Sequence, residues 1–181
     1  PNLYADLIES FGRQIPRRDS VIISLHPHND RGTAVAATEL ALMAGGERVE
    51  GTLFGNGERT GNANLMTVIP DLTLKMGIAT LPEGRLDRLT AVSRHVAELV
   101  NLPPHPADPY VGSSAFAHKG GLHTSALGRV GGASYEHIEP AQVGNHTRVL
   151  VSDLGVRAGM SMKAAELGID TEQLLDRLRS M

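Results

Sequence analysis

The sequence contains no cysteine and no tryptophan, and aromatic residues make up only 3% of its 181 positions. The absence of cysteine excludes disulfide bridges, thiolate nucleophiles and cysteine-ligated metal centres, and it is typical of cytosolic proteins. So few aromatic rings, with lysine and arginine scattered at a net charge of −3, argue against a nucleic-acid-binding surface. No apolar run approaches the roughly 20 residues that a membrane-spanning helix needs. We therefore expect a cytoplasmic protein that binds neither membranes nor nucleic acids.

Hydrophobic residues make up 41% and charged residues 20% of the chain, a composition typical of a folded globular protein. The length suits one domain, or one domain with a small appendage. The chain starts directly in an amphipathic pattern at Pro1, without an initiator methionine. We therefore expect it to be part of a longer protein.

The first hundred residues alternate between helical and strand-like patterns. Apolar spacing predicts helices and strands in the order helix 2–14, strand 21–25, helix 33–44 and strand 49–54. A strand–helix–strand unit of this length is typical of parallel α/β proteins. Two more helices are predicted at 64–76, with Pro70 kinking or dividing it, and at 86–99.

A proline-rich stretch at 103–109 predicts a boundary between two domains, 1–101 and 102–181. The second domain is expected to be mostly helical. The predicted elements are a short helix at 117–128, a strand-like edge at 148–151, and helices at 160–167 and 171–179, the last capped by Asp170 and Gln173.

The densest polar cluster is SLHPHNDRG, at residues 24–32. His26 and His28 are two positions apart at a strand end, so an extended backbone directs both imidazoles to the same side. Paired imidazoles can chelate a divalent metal. Asn29 and Asp30 follow, either to orient the histidines or to cap the next helix. The alternative is that His26 is only a buried strand residue and His28 an ordinary loop residue.

A second polar cluster, GNGERTGN, follows the second predicted strand. Its glycines permit either a close approach to a ligand or a tight turn, and the spacing is not the dinucleotide-binding fingerprint because Thr60 replaces the third glycine. The loop contains glycines, a charged pair and a terminal asparagine that could ligate a metal: Gly55, Gly57, Gly61, Glu58, Arg59 and Asn62. The charged pair can bind each other or neighbouring charges. The ends of adjacent parallel strands share one face, so the two clusters together favour a functional site.

A third cluster, at 110–123, carries His118, Lys119 and His123 around a diglycine. His118 could act as an acid or base, whereas His123, five residues on, is expected to lie away from it on a helix. The alternative is a solvated helix start. Tyr135 follows a glycine loop and by itself indicates little.

Together these stretches resemble the 2-isopropylmalate and citramalate synthases, within the wider family of metal-dependent TIM-barrel acyl-CoA lyases and synthases. The part from SLHPHNDRG to GNGERTGN is most similar to the 2-isopropylmalate synthases. The part from GNANLMTVIP onward, including PYVGSSAFAHKGGLHTSAL and YEHIEPAQVGNHTRVLVSDL, is more similar to citramalate synthases. The resemblance covers nearly the whole chain. It implies an α/β fold: the last strands of a (β/α)8 barrel, followed by a mostly helical subdomain.

The resemblance also implies roles for individual residues. Mg, Mn or Zn would be bound by His26, His28 and Asn62. Acetyl-CoA would be bound by the loop residues Gly55, Gly57, Glu58, Arg59 and Gly61. His118 would be the acid–base residue and Tyr135 would approach the substrate. The sequence departs from the family pattern at Leu154-Gly155-Val156-Arg157, where members usually have a Ser-Gly-Arg-Ser type sequence.

The implied activity is an acyltransferase reaction, a Claisen-type condensation of acetyl-CoA with a 2-oxo acid. The acid would be 2-oxoisovalerate, in leucine biosynthesis, or alternatively pyruvate, in the isoleucine pathway. We expect a homodimer for the full-length protein. The family's first barrel strands, which carry further metal and catalytic groups, are not in this sequence. We therefore expect the 181 residues alone to be inactive, and a third hypothesis is an inert fragment that complements a missing half.

Overall fold

The chain divides into two compact units, Pro1–Pro104 and His105–Met181. The computed structural model describes residues 1–150, 161 and 163–170. Of the predicted helix at 160–167, residues 161 and 163–166 are helical. The predicted helix at 171–179, its proposed cap at Gln173, and the Leu154–Arg157 departure lie outside the described residues.

The first unit is built around a strand–helix–strand arrangement. Its elements are α1 (Asn2–Gln14), β1 (Ser24–Leu25), α2 (Ala34–Met43), β2 (Arg48–Val49), α3 (Leu65–Pro70) and α4 (Leu89–Val100). β1 and β2 pair in parallel, with Ser24 opposite Arg48 and Leu25 opposite Val49. The parallel unit predicted from the sequence pattern is thus confirmed.

Both strands of this unit are shorter than predicted. Val21 and Ile22 are 42% and 67% exposed, and only the last two residues of the predicted run pair with β2. The second predicted strand ends after Val49, and a 3-10 turn forms at Leu53–Gly55. Phe54 in that turn has a φ of 60°, a left-handed conformation that an extended strand does not allow.

Two apolar clusters form the core of the first unit. One surrounds β1 and consists of Ile23, Leu25 and Ala41, against which Tyr4 and Ile8 of α1 pack. The other joins α2 to α3 and consists of Ala34, Ala63, Val68 and Leu72. The chain divides after Pro70 as predicted, since α3 ends there and a π-helical turn follows at Asp71–Lys75.

The second unit contains a short parallel sheet as well as helices. Its elements are β3 (Ala117–His118), α5 (Gly121–Val130) and β4 (Arg148–Val149), with 3-10 turns at Gly132–Ser134 and Pro140–Val143. The prediction of one helix over 117–128 is therefore wrong at its start. Arg148 N–H donates to the Phe116 carbonyl and Leu150 N–H to that of His118, which extends the backbone there. The helix begins only after Gly120, whose backbone is extended.

None of the helices within the described residues is long and apolar enough to cross a membrane.

Candidate functional site

The loops that follow β1 and β2 lie side by side, as the parallel pairing predicts. His28 and Asn62 form an isolated antiparallel bridge. Asn29 N–H donates to the Gly61 carbonyl at 2.8 Å, and Ala63 N–H to the Pro27 carbonyl at 3.1 Å. The two polar clusters of the first unit are therefore joined through their backbones.

His26 is held by a carboxylate that the sequence analysis did not single out. Its Nδ1 lies 3.2 Å from Oε2 of Glu50. Oε1 of Glu50 accepts hydrogen bonds from Ser24 Oγ at 2.6 Å and Arg48 Nη2 at 2.9 Å. The Ser24 bond, followed by that of His26, holds the pKa of Glu50 below its usual range. A carboxylate on one ring nitrogen, leaving the other for an ion, is the usual support of a metal-ligating histidine.

Two buried polar atoms of this site lack a hydrogen-bond partner: Nδ1 of His28 and Oδ1 of Asn62. The His28 ring lies beside that of His26, with 5.3 Å between centroids, and Asn62 Nδ2 donates to the Asn56 carbonyl at 3.0 Å. Unsatisfied buried polar atoms are costly, and an imidazole nitrogen and an amide oxygen are both atoms that can ligate a divalent cation. The residues present therefore fit a divalent metal.

The site would nevertheless supply only part of a coordination shell. Within residues 1–150, 161 and 163–170, no three His, Cys, Asp or Glu side chains converge on one metal position. A cation held by His26, His28 and Asn62 would rest on two imidazoles and one amide, and would need further oxygen ligands.

The glycine loop is a tight turn in which a Cβ on any of its three glycines would lie within 3.0 Å of another atom. A Cβ on Gly61, whose φ is +89°, would lie 1.8 Å from the Gly55 carbonyl oxygen. A Cβ on Gly57 would lie 2.3 Å from Asn62 Nδ2. The turn packs directly against the candidate metal ligand, so its shape and the position of Asn62 depend on each other.

Arg59 joins this loop to the residues after His28. Its Nε and Nη2 lie 2.7 and 3.1 Å from the two oxygens of Asp30, which is the geometry of a bidentate ion pair. The hydrogen bond from Arg59 lowers the pKa of Asp30 and raises that of Arg59. Neighbouring Asn29 accepts, through Oδ1, a hydrogen bond from the N–H of Ala34, the first residue of α2. Of the roles considered for this charged pair, binding to a neighbouring charge is the observed one for Arg59.

A cleft of about 440 Å³ opens beside the two histidines. Its polar side includes His26, His28, Asp30 and Arg31, and its apolar side includes Leu3, Tyr4 and Leu7. The cleft is therefore lined by charged and imidazole groups as well as by apolar side chains.

The second unit contains a separate cluster of imidazoles, a phenol and a carboxylate. Nε2 of His118 lies 3.2 Å from Oε1 of Glu136, with side chains 8% and 3% exposed. The ring of His123 stacks on Tyr135 at a centroid distance of 3.9 Å and lies 6.1 Å from His118. The expectation that His123 lies away from His118 is wrong. The two histidines belong to different elements, β3 and α5, and Gly120 turns the chain between them.

Two members of this cluster, Glu136 and His123, were not predicted as site residues from the sequence. Tyr135 and His123 are exposed, whereas the side chains of His118 and Glu136 are buried. The only sequence signal for Glu136 is its place next to Tyr135, shortly after a glycine loop. That position does not predict which side chain it contacts.

The family described as HMGL-like matches residues 1–99, and the domain described as homocitrate synthase post-HMGL domain-like matches residues 110–178. The chain therefore belongs to the HMGL-like family. Its homologues are (R)-citramalate synthases and 2-isopropylmalate synthases, which confirms the resemblance found in the sequence.

Relatives with both names match at similar identity. An (R)-citramalate synthase of Streptomyces coelicolor is 51% identical over 82% of this chain and 28% of its own length. One from Aquifex aeolicus is 44% identical over 88% of this chain and 31% of its own length. A 2-isopropylmalate synthase of Pseudomonas savastanoi is 48% identical over 83% of this chain and 28% of its own length. The chain thus spans about a third of the length of these relatives.

Proposed function

We propose that this chain forms part of an acyltransferase that condenses acetyl-CoA with a 2-oxo acid. Residues 1–101 would supply the last strands of a (β/α)8 barrel and 102–181 the subdomain that follows, in a full-length homodimer. The observation that carries the proposal is the pair of unsatisfied buried atoms, on His28 and Asn62, where two parallel strands end. The names of the relatives support the same chemistry.

The metal-binding role falls to His26, His28 and Asn62, with Mg²⁺, Mn²⁺ or Zn²⁺ as the cation. When bound, such an ion acts as a Lewis acid toward the keto oxygen of the 2-oxo acid. Glu50 accepts from Nδ1 of His26 and so fixes the ring with Nε2 directed away from the carboxylate. This arrangement explains why the loops after both strands are polar.

Proton transfer falls to the cluster of the second unit. A base removes a methyl proton from acetyl-CoA, the resulting enolate carbon attacks the keto carbon, and the alkoxide so formed takes up a proton. Water then hydrolyses the thioester and releases CoA. We assign these proton transfers to His118 and Tyr135. Because His123 is exposed and stacked on Tyr135, it is a second candidate for the base.

Acetyl-CoA binding falls to the glycine loop, through Gly55, Gly57, Glu58, Arg59 and Gly61. The glycines allow the backbone to approach a ligand closely. Since the guanidinium of Arg59 is bound by Asp30, its contribution is to hold the loop in place.

Two 2-oxo acids remain candidates. The motif from SLHPHNDRG to GNGERTGN favours 2-oxoisovalerate, the substrate expected of a 2-isopropylmalate synthase. The 51% identity to an (R)-citramalate synthase favours pyruvate. The cleft beside the histidines has an apolar wall, which suits the hydrocarbon part of either acid.

The test is an assay of CoA released from acetyl-CoA, detected with DTNB. The full chain is assayed with Mg²⁺ or Mn²⁺, with and without the N-terminal barrel portion of a relative, and with each 2-oxo acid separately. We expect turnover only in the complemented mixture. His28→Asn should abolish it, whereas His95→Asn, the same change at an exposed position on α4, should not. If no complemented mixture releases CoA although folding is verified, the result would instead support the hypothesis of an inert interaction fragment.

A further inference from the structure

Glu136 is a buried carboxylate with two polar neighbours on different parts of the second unit. Its Oε1 lies 3.2 Å from Nε2 of His118 on β3 and accepts a hydrogen bond of 2.7 Å from Thr147 Oγ1, just before β4. On its other side, a Cβ on Gly132 would lie 2.1 Å from Oε2, so the glycine makes room for the carboxylate. A carboxylate is buried to this degree only when such partners satisfy it.

The chemistry of the pair fixes which nitrogen of His118 carries a proton. An ionised carboxylate can only accept hydrogen bonds, so the Nε2–H of the imidazole must donate to it. In the neutral ring the lone pair is then on Nδ1. Glu136 thereby selects one tautomer and one ring orientation of His118.

The same turn also places Tyr135. The N–H groups of Tyr135 and Glu136 both donate to the Gly132 carbonyl, at 3.0 and 2.8 Å. These bonds close the turn so that the Glu136 side chain is buried while that of Tyr135, 48% exposed, stacks on His123. The turn that buries the Glu136 carboxylate therefore also sets the position of Tyr135.

We infer that Glu136 is a positioning residue, which holds His118 as the Nε2–H tautomer and keeps Tyr135 stacked on His123. The inference rests on the proposed function for its role in catalysis, since it is through these groups that Glu136 would act. As a statement about the geometry of the cluster it stands without any turnover.

The experiment is NMR spectroscopy of the full chain, labelled with ¹⁵N at histidine. We expect a low-field proton on Nε2 of His118 that exchanges slowly with water, an unprotonated Nδ1, and a nuclear Overhauser effect between the Tyr135 and His123 rings. Glu136→Gln keeps the shape but removes the charge that strengthens the bond. In this variant the proton should move upfield and exchange about tenfold faster, since charge-assisted bonds are roughly twice as strong as neutral ones.

Glu139→Gln is the matched control, since it makes the same change at an exposed position three residues further on. It should leave the spectrum of His118 and the Tyr135–His123 effect unchanged. The inference is overturned if the unaltered chain shows the proton on Nδ1 or shows no protected Nε2–H. It is equally overturned if a folded Glu136→Gln variant keeps both signals as they were. Because these spectra need no substrate, a chain that shows them but gives no turnover in any complemented mixture would count against the proposed function and not against this inference.

Discussion

Replacing Gly61 by alanine tests how tightly the glycine loop is packed against Asn62. The new Cβ would lie 1.8 Å from the Gly55 carbonyl oxygen, where ordinary contact begins at 3.4 Å. The backbone at Gly55 would have to move by about 1.6 Å, because a carbonyl group cannot rotate out of the way as a side chain can. That carbonyl accepts the N–H of Asn62 at 2.8 Å, so the movement would also break this hydrogen bond.

The expected cost of this substitution has three parts. A left-handed φ costs an L-residue about 1–2 kcal/mol. Overpacking typically costs about 1–3 kcal/mol and a lost hydrogen bond about 1 kcal/mol. We expect Gly61→Ala to reduce the free energy of unfolding by about 3–6 kcal/mol.

Gly77→Ala is the matched control. Gly77 has a φ of +68° and nothing within 4 Å of the position a Cβ would take, so only the cost of its left-handed backbone applies. We expect about 1–2 kcal/mol there. The difference between the two variants isolates the contact with the Gly55 carbonyl.

The assay is urea unfolding followed by circular dichroism, with the Asn62 amide followed by hydrogen exchange. Gly61→Ala should lower the midpoint further than Gly77→Ala at the same slope, and should speed exchange at Asn62. If the two variants unfold within about 0.5 kcal/mol of each other, the scatter of ordinary surface substitutions, and Asn62 stays protected, the argument is refuted.

Three further predictions concern the first unit. Leu25→Ala removes a side chain that is 1% exposed, and we expect a loss of about 2–5 kcal/mol in urea unfolding; a loss below 1 kcal/mol, outside that range, would contradict the core assignment. Asn29→Ala removes the acceptor of the Ala34 N–H and should cost about 1 kcal/mol in the same measurement. The pKa of Glu47 is lowered, first by its hydrogen bond from Arg18. Its contribution to stability is therefore present above the usual glutamate pKa and lost as the pH falls through the lower folded value. Arg18→Gln should therefore weaken the fall in the free energy of unfolding at acid pH. An unchanged pH dependence of that free energy would contradict the prediction.

The local patterns of the first unit were predictable from sequence. The apolar spacing of α1 and the alanine-rich run of α2 each predict a helix from local sequence alone. Both helices lie within one residue of the predicted bounds. The parallel pairing of the strands follows from the length of the connection between them. The lengths of the strands could not be predicted from the sequence, because Ile22 and Phe54 have strand-forming side chains but lack a partner strand.

The two carboxylates that hold histidines could not be found in the same way. Glu50 meets His26 only because β1 and β2 pair in one particular register, and Glu136 meets His118 only because a turn folds it inward. Contacts of this kind depend on residues 24 and 18 positions apart, which no local pattern encodes. The role of each predicted ligand and proton-transfer residue stays a prediction that the proposed assays test.

The glycine loop is attached to its neighbour by two kinds of bond that respond differently to ionic strength. The Arg59–Asp30 pair is exposed, so dissolved salt screens it, with a Debye length falling to about 3 Å at 1 M. The bonds from Asn29 N–H to the Gly61 carbonyl and from Ala63 N–H to that of Pro27 carry no net charge and are not screened. Raising the salt concentration should therefore loosen the tip of the loop around Arg59 while Asn62 keeps its place beside His28.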